Sequence, residues 1–373
     1  MRSTSFWSNR KVLITGHTGF KGTWLALWLH TLGADVTGYA LLPSGEPNLF
    51  RLCGLDHLIR SVIADIREQE ALLCTIQEVQ PEVIIHLAAQ PLVRYSYLEP
   101  VHTYEVNVLG TVHLLEAVRI ATAAKTPIKA VLNVTSDKCY EDQEWFWGYR
   151  EIDKLGGYDP YSSSKACAEL VTASYRNSYF NRKDYDVHGV SIATARAGNV
   201  IGGGDGSEDR IVPDCMRAIL AESKLLIRNP AATRPWQHVL EPLQGYLLLA
   251  QKMVERGPEV AEAWNFGPME ESVKSVEWLV KRIGKLYGND DFYELAAGEH
   301  PHETANLGLD SSKSRRVLGW KPVWNVEQAL EKAVEWFTAY QNKKDMKSVC
   351  LQQLAAYTIA REREMISCEG GEM

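Results

Sequence analysis

Residues 11–22 read KVLITGHTGFKG, and the two halves of this stretch differ in kind. An apolar run of strand type ends at Thr15, and glycines follow at 16, 19 and 22 as the amphipathic segment KGTWLALWLHTLG (21–33) begins. Glycine has no β-carbon to block a tight turn or to hold a diphosphate away from the backbone. The helix start behind it offers free N–H groups and the positive end of a dipole. A Gly-x-x-Gly-x-x-Gly turn is weak evidence by itself. At the first strand-to-helix turn of an alternating chain it predicts a dinucleotide site.

The chain does alternate. Strands are predicted at 11–16, 35–41, 82–89, 129–136 and 186–196, with helical patterns between them. In the first helix Leu25, Trp28, Leu29 and Leu32 recur at i, i+3, i+4 and i+7, and Gly33 stops it. Continuous apolar strands alternating with helices imply a parallel sheet buried on both faces, a doubly wound α/β fold of Rossmann type. Past residue 196 the text becomes richer in glycine and proline, and helical stretches resume at 241–255, 272–287 and 325–342. The expected division is a dinucleotide-binding domain with the catalytic residues at 1–196, a smaller substrate-binding lobe at 197–345, and a helical tail at 346–373 whose end, CEGGEM, frays.

Composition narrows the partners. The 373 residues carry a net charge of −7 with no basic run, which argues against nucleic acid or an anionic membrane. Seven cysteines are scattered without a C-x-x-C spacing, so neither a disulfide framework nor a metal site is expected, and a reducing compartment is. The strand-like KVLITG begins too early to leave room for a signal peptide, and no apolar run approaches the roughly 20 residues that span a bilayer. A cytoplasmic protein is expected.

The strand-two segment VTGYALLP lacks both the acid that binds the ribose of NAD and a base for the phosphate of NADP, so these residues leave that choice open. Asp65 in IADIRE has two readings, a contact to the adenine amine or a turn-capping residue.

Further along, YDPYSSSKACAEL sets Tyr161 and Lys165 four apart, on one helix face. A free tyrosine, with a pKa near 10, is a poor base at neutral pH; a neighbouring ammonium and an oxidised nicotinamide ring favour its phenolate. That pairing suits removal of an alcohol proton while hydride leaves the same carbon. TSDKCY (135–140) ends the fourth of the predicted strands, on the sheet edge where such folds bind ligands. Ser136 there can hold a substrate hydroxyl, and Asp137 and Lys138 add an acid and an amine, or form a plain solvated turn.

These motifs, with HLAAQ (86–90) and ARAGNVIGGGD (195–205), resemble the extended short-chain dehydrogenase/reductases of the nucleotide-sugar branch. GHTGFKG, TSDKCYE, WGYREIDKLGGYDPYSSSKACAELV and TRPWQHVLEPL are closer to the CDP-glucose 4,6-dehydratases within it, over about residues 8–340. Gly206 departs from the pattern, which has an aromatic after GGGD.

The resemblance implies an NAD cofactor, tightly bound and recycled in each turnover. It implies a cofactor site of Gly16, His17, Thr18, Gly19, Phe20, Lys21 and Gly22, with Asp65, Ile66, Leu87, Ala88, Ala89, Tyr161 and Lys165. It makes Ser136, Asp137, Lys138, Tyr161 and Lys165 catalytic, and Gln90, Arg94, Ser136, Asn199, Arg210 and Arg234 substrate-binding, the last three facing a diphosphate. CDP-glucose would be oxidised at C4, lose water across C5–C6 and regain hydride at C6, a step of deoxysugar and O-antigen biosynthesis. Asp137 is then the acid; Lys138 is either the C5 base or a charge that stabilises the enolate. Trp145, Phe146 and Trp147 either lid the sugar or pack on the second lobe. Helices 103–122 and 161–180 would build a homodimer or homotetramer. Another nucleotide-sugar 4,6-dehydratase, a 4-epimerase or a non-catalytic NAD-binding regulator are the rival readings. An epimerase has no use for the Asp137–Lys138 pair.

Overall fold

In the computed structural model, which describes residues 2–296 and 307–369, seven parallel strands form the central sheet. They are β1 (Lys11–Thr15), β2 (Asp35–Ala40), β3 (Arg60–Ile63), β4 (Val83–His86), β5 (Ala130–Val134), β6 (Ser191–Ala197) and β7 (Ala263–Phe266). Their order is β7-β6-β5-β4-β1-β2-β3, so the direction of travel reverses between β1 and β4. A ligand crevice forms outside the carboxyl ends of the strands at such a reversal. The longer helices are α1 (Phe20–Thr31), α2 (Gln69–Val79), α3 (Gly110–Ala123), α4 (Pro160–Ser178), α5 (Ile211–Leu220), α6 (Leu240–Arg256), α7 (Val276–Tyr287), α8 (Val326–Gln341) and α9 (Met346–Glu369).

Each face of the sheet has its own core. Leu13, Ile84 and Val131 point to a cluster with Leu72 and Ile76 of α2 and Leu114, Leu115 and Val118 of α3. Val12, Ile14, Ile85 and Leu132 point the other way, to α1, α6 and α8. This alternation is why the strands read as unbroken apolar runs.

Two strands escaped the sequence pattern. RSVI (60–63) is a half-exposed edge strand and lacks an apolar run. AWNF (263–266) lies within the expected second lobe, yet pairs with β6 in the register Ala263↔Thr194 to Phe266↔Ala197. The boundary expected at 196/197 is therefore crossed by a sheet strand, and α6 packs on β5 and β6 to bring the chain back. The remainder of 197–345 forms short pairs: 200–201 with 237–238, 225–227 with 293–295, and 233–235 with 273–275.

Three further expectations need correction. Residues 185–188 form a helical turn ended by Gly189 at φ +64°, so β6 begins at 191 and not 186. Helix α1 is not amphipathic: Gly22 through Leu29 are all buried, because α6 and α9 cover the side that would otherwise face water. By length and apolar composition the run Pro100–Ala123 could cross a bilayer, contrary to the sequence reading; in the fold α3 packs on α2 and α4.

The tail is docked along most of its length. Tyr357 of α9 is buried against Trp28 and Trp324, at 5.6 and 5.0 Å between ring centroids, and its hydroxyl donates to Glu241 Oε2 at 2.7 Å. Residues 370–373, the greater part of the frayed end, lie outside the described residues.

Candidate active site

The glycine turn is as crowded as its sequence requires. Gly16 has φ +79°, and a β-carbon on it would stand 2.7 Å from the Ala88 nitrogen, so the HLAA backbone crosses directly over it. On Gly22 a β-carbon would meet the Gly16 carbonyl oxygen at 2.0 Å. Gly19 caps α1 without a side chain, leaving the first helical N–H groups open to an anion. Thr15 Oγ1 accepts from the nitrogens of Leu87 and Ala88, at 3.2 Å each, and so binds the end of β1 to the turn after β4. These residues fit the diphosphate of a dinucleotide: a side-chain-free cradle on a helix start, at the sheet's reversal.

Other members of the expected cofactor set have different duties. The His17 ring is fully buried against Gly38 and Phe50 and shares a hydrogen bond with Ser61 Oγ at 2.7 Å, so only its backbone belongs to the turn. Burial pushes its pKa down to about 4 and keeps it neutral. The Thr18 hydroxyl donates to the Leu41 carbonyl at 2.9 Å, and Phe20 lies under Gly202. Both Asp65 oxygens accept from Arg67, one from its backbone nitrogen at 2.9 Å and the other from its guanidinium, which is the turn-capping reading of that residue. Ile66 is buried beneath Gly110.

Lys21 goes the other way. From the first turn of α1 its ammonium reaches the field of Asp137, Lys165 and Arg210; burial and Arg210 pull its pKa down to about 8, and Asp137 partly restores it. No sequence rule singles it out from its neighbours in the turn.

At the end of β5 the backbone enters a single 3₁₀ turn, 137–139, capped by Ser136, whose Oγ accepts from Lys138 N at 3.2 Å. The same hydroxyl donates to Asp137 Oδ1 at 3.0 Å and acts on the Tyr161 phenol to lower its pKa. Asp137 is 2% exposed, and its Oδ2 has no hydrogen-bond partner among the described residues; a β-carbon on Gly198 would stand 2.9 Å from that oxygen. Burial raises the Asp137 pKa, against the pull of Lys138, Ser136, Lys21 and Arg234. A carboxyl whose pKa is raised by burial is better suited to donate a proton.

Tyr161 opens α4 behind the Asp159 cap, with its backbone nitrogen donating to Ser96 Oγ at 3.1 Å. Burial drives its pKa up to about 12; the Ser136 hydrogen bond and the Arg210 guanidinium act against this. The sequence reading assigned that lowering to Lys165. In the fold the Lys165 ammonium is buried beside the Glu169 carboxylate and the Cys139 thiol; burial lowers its pKa to about 8, and Glu169 is the main influence acting against that fall. α4 packs against a π turn at Glu105–Leu109, just ahead of α3, where Asn107 is buried. Its amide accepts from Gln90 N at 2.8 Å and donates to Ser164 Oγ at 2.8 Å, tying that turn to the catalytic helix. Such π turns recur at functional sites, and the sequence carried no sign of this one.

The residues expected at the substrate divide into two groups. Arg234 (4% exposed) and Arg210 converge on the centre, the first acting on Asp137 and the second on Tyr161 and Lys21. Arg210 also pairs with Asp205 at 2.8 Å. Asn199 adjoins Gly198, its carbonyl accepting from Gln237 N at 3.2 Å. Gln90, by contrast, spends its amide on protein groups, donating to the Leu92 carbonyl at 3.0 Å and to Thr103 Oγ1 of the helix Pro100–Tyr104 at 2.9 Å. Arg94 reaches across the cleft to Asp209 at 3.2 Å, an acid it shares with Arg228. Trp145 packs on Tyr149, which bonds to 308 and 310, while Phe146 (91% exposed) and Trp147 project outward.

Gly206 has a steric explanation. A β-carbon there would lie 2.6 Å from the Pro47 carbonyl oxygen, so the loop after β2 occupies the place of an aromatic side chain.

The fold, the glycine cradle and the Ser-Asp-Lys/Tyr/Lys cluster coincide with a known group. A family model described as GDP-mannose 4,6 dehydratase matches residues 13–333. The chain belongs to that family. It is thus an enzyme of the nucleotide-sugar 4,6-dehydratase group within the extended short-chain dehydrogenase/reductases. It is 49% identical to the CDP-glucose 4,6-dehydratase of Salmonella typhimurium over 363 residues, which are 97% of this chain and all of the relative. It is 28% identical to the UDP-glucose 4-epimerase of Mycolicibacterium smegmatis, over 88% of this chain and 98% of that one. Among solved structures, the dTDP-glucose 4,6-dehydratase of Streptomyces venezuelae with NAD and TYD bound shares the fold at a TM-score of 0.74 and 24% identity, over 90% of this chain and 99% of that one.

Proposed function

We propose that this enzyme converts CDP-glucose to CDP-4-keto-6-deoxyglucose and water, with NAD held in the 16–22 cradle. The observation that carries the reading is the buried Asp137 with the half-buried Lys138 next to it, beside Ser136 and Tyr161. An acid and an amine next to an oxidising tyrosine supply the proton traffic that elimination needs and a simple oxidation lacks. The 49% identity over nearly the whole of both chains supports cytosine as the base.

NAD, when bound, supplies the hydride acceptor at C4 and the hydride donor at C6. Ser136 holds the C4 hydroxyl, and Tyr161 takes its proton. The ketone acidifies C5–H. Lys138 removes that proton, and Asp137, whose burial favours its neutral form, protonates the departing C6 hydroxyl. Lys165 and Lys21 place positive charge beside the developing oxyanions. Arg210, Arg234 and Asn199 receive the diphosphate, to whose oxygens guanidinium groups are suited.

The enzyme acts as a homodimer or homotetramer. Leu109 and Leu170 are 48 and 58% exposed on the two helices expected to pair, 103–122 and 161–180, and Leu98 and Val101, just ahead of the first, are 77 and 69% exposed. A reducing, cytoplasmic setting suits its free cysteines.

The test is incubation with CDP-, UDP-, GDP- and dTDP-glucose in parallel. The CDP sugar is expected to yield a 4-keto product lighter by one water, and conversion of another nucleotide in its place would overturn the base assignment.

A further inference from the structure

Glu169 follows Lys165 by four residues on α4, so Tyr161, Lys165 and Glu169 share one helix face. The dehydration assigns it no task, and it touches no open part of the site. It is 3% exposed, and both carboxylate oxygens are fully engaged. Oε1 accepts from Thr135 Oγ1, at the point where β5 delivers Ser136. Oε2 accepts from Thr194 Oγ1 at 2.7 Å and Arg196 Nη2 at 2.8 Å, both on β6. Arg196 continues to the Tyr140 hydroxyl at 2.8 Å, and that hydroxyl donates to Asn265 Oδ1 on β7, also at 2.8 Å.

A buried ion pair is a poor device for stability alone, since apolar residues of the same volume do as well or better. A carboxylate kept in the interior at that cost has a use for its charge. The nearest such use is one turn away.

We propose that Glu169 is a positioning residue of the dehydratase. Its negative charge keeps the buried Lys165 ammonium protonated, and its bond to Thr135 fixes the strand end that holds Ser136 and Asp137 against Tyr161.

The charges around both groups agree with this. Lys165 is faced by Glu169 on its own helix, by the Cys139 thiol from the turn after β5, by the His86 imidazole from β4 and by Lys21 from α1. Lys21 is a like charge, and His86 is held neutral, its pKa lowered to about 3 by burial and Lys165. Glu169 is the strongest influence opposing the desolvation of Lys165. Glu169 itself faces Arg196 and Arg176. Burial raises its pKa, but Arg196 and the three hydrogen bonds outweigh that, so it stays ionised.

The inference rests on the proposed reaction only for the task it gives Lys165. Glu169→Gln alone would strand the Arg196 charge in a dry interior and endanger the fold. The decisive variant is the double replacement Glu169→Gln with Arg196→Met, which removes both charges together. Its fold is checked by thermal unfolding, and the Lys165 side chain is titrated by NMR with ¹³Cε-lysine. The pH profile of kcat on CDP-glucose is measured beside it. The Lys165 midpoint is expected to fall by about one pH unit, the alkaline limb of kcat to move with it, and KM to stay within about twofold. A folded double variant with an unmoved midpoint and limb overturns the proposal. Should it not fold, Glu169→Asp decides: the retained charge must hold the limb in place while kcat falls, and a limb that shifts overturns it. Wild-type protein inactive on CDP-glucose defeats the substrate reading and leaves the NMR titration to judge Glu169.

Discussion

The Ser136 hydroxyl donates to Asp137 Oδ1 at 3.0 Å and also acts on the Tyr161 phenol, whose pKa it lowers against the effect of burial. In the proposed reaction one side chain therefore links the group that starts the oxidation to the group that completes the elimination. The two half-reactions share a point of attachment, and substitutions can still separate them.

Lys138→Ala is expected to leave the oxidation largely intact and stop the elimination. With CDP-glucose the bound cofactor still becomes reduced, seen by its absorbance, while C5 no longer exchanges with D₂O. Product formation falls by about 10²–10⁴-fold, the range for loss of a general base. Normal dehydration by this variant would sink the assignment of Lys138 as the base. Asp137→Asn retains C5 exchange and loses water expulsion to a similar degree.

Tyr161→Phe should block the first step. Reduced cofactor fails to appear on mixing with substrate, by about 10²–10⁴-fold in rate, while thermal stability remains near wild type, since only one hydroxyl is lost. Because burial holds Tyr161 near 12 in the free protein, the wild-type rate of oxidation rises with pH on the acid side as the phenolate fraction grows. A flat profile there argues for another base.

Gly22→Ala tests the cradle. The added methyl meets the Gly16 carbonyl at 2.0 Å, so the turn must open. Isothermal titration with NAD should show at least tenfold weaker binding than wild type. Unchanged affinity would place the dinucleotide elsewhere.

Acid should weaken the fold through histidine. Burial lowers the pKa of His17 to about 4 and of His86 and His238 to about 3, from an ordinary 6.5. A base with a depressed native pKa stabilises the fold above 6.5, and this stability drains away as pH falls toward the native value. Between pH 6.5 and 5 each histidine costs about 2 kcal/mol. Urea midpoints measured across that range should fall steeply, and His238→Asn should remove about a third of the slope. A pH-independent midpoint contradicts the neutral burial of these rings.

The sequence carries the proposed chemistry in contiguous residues: the 16–22 turn, Ser136 to Lys138, and Tyr161 with Lys165. Each is a local spacing with a local reason. What it concealed depends on contacts between distant segments. The Glu169–Arg196 pair joins residues 27 apart in sequence on two elements, and the strand 263–266 finds β6 only after a long excursion. Motif membership also misled, because a position in a turn does not set the direction of a side chain. His17 points into the β2–β3 packing, and Gln90 donates to Leu92 and Thr103. Gly206 looked like a departure until Pro47 was seen to fill its place.

The central claim, that hydride leaves C4 and returns at C6 with loss of water between, is tested most directly by CDP-glucose carrying deuterium at C4. The account predicts a product lighter by one water, with the deuterium recovered at C6. A product of unchanged mass that keeps the label at C4 would make the enzyme an epimerase and contradict the dehydratase assignment of the Asp137–Lys138 pair.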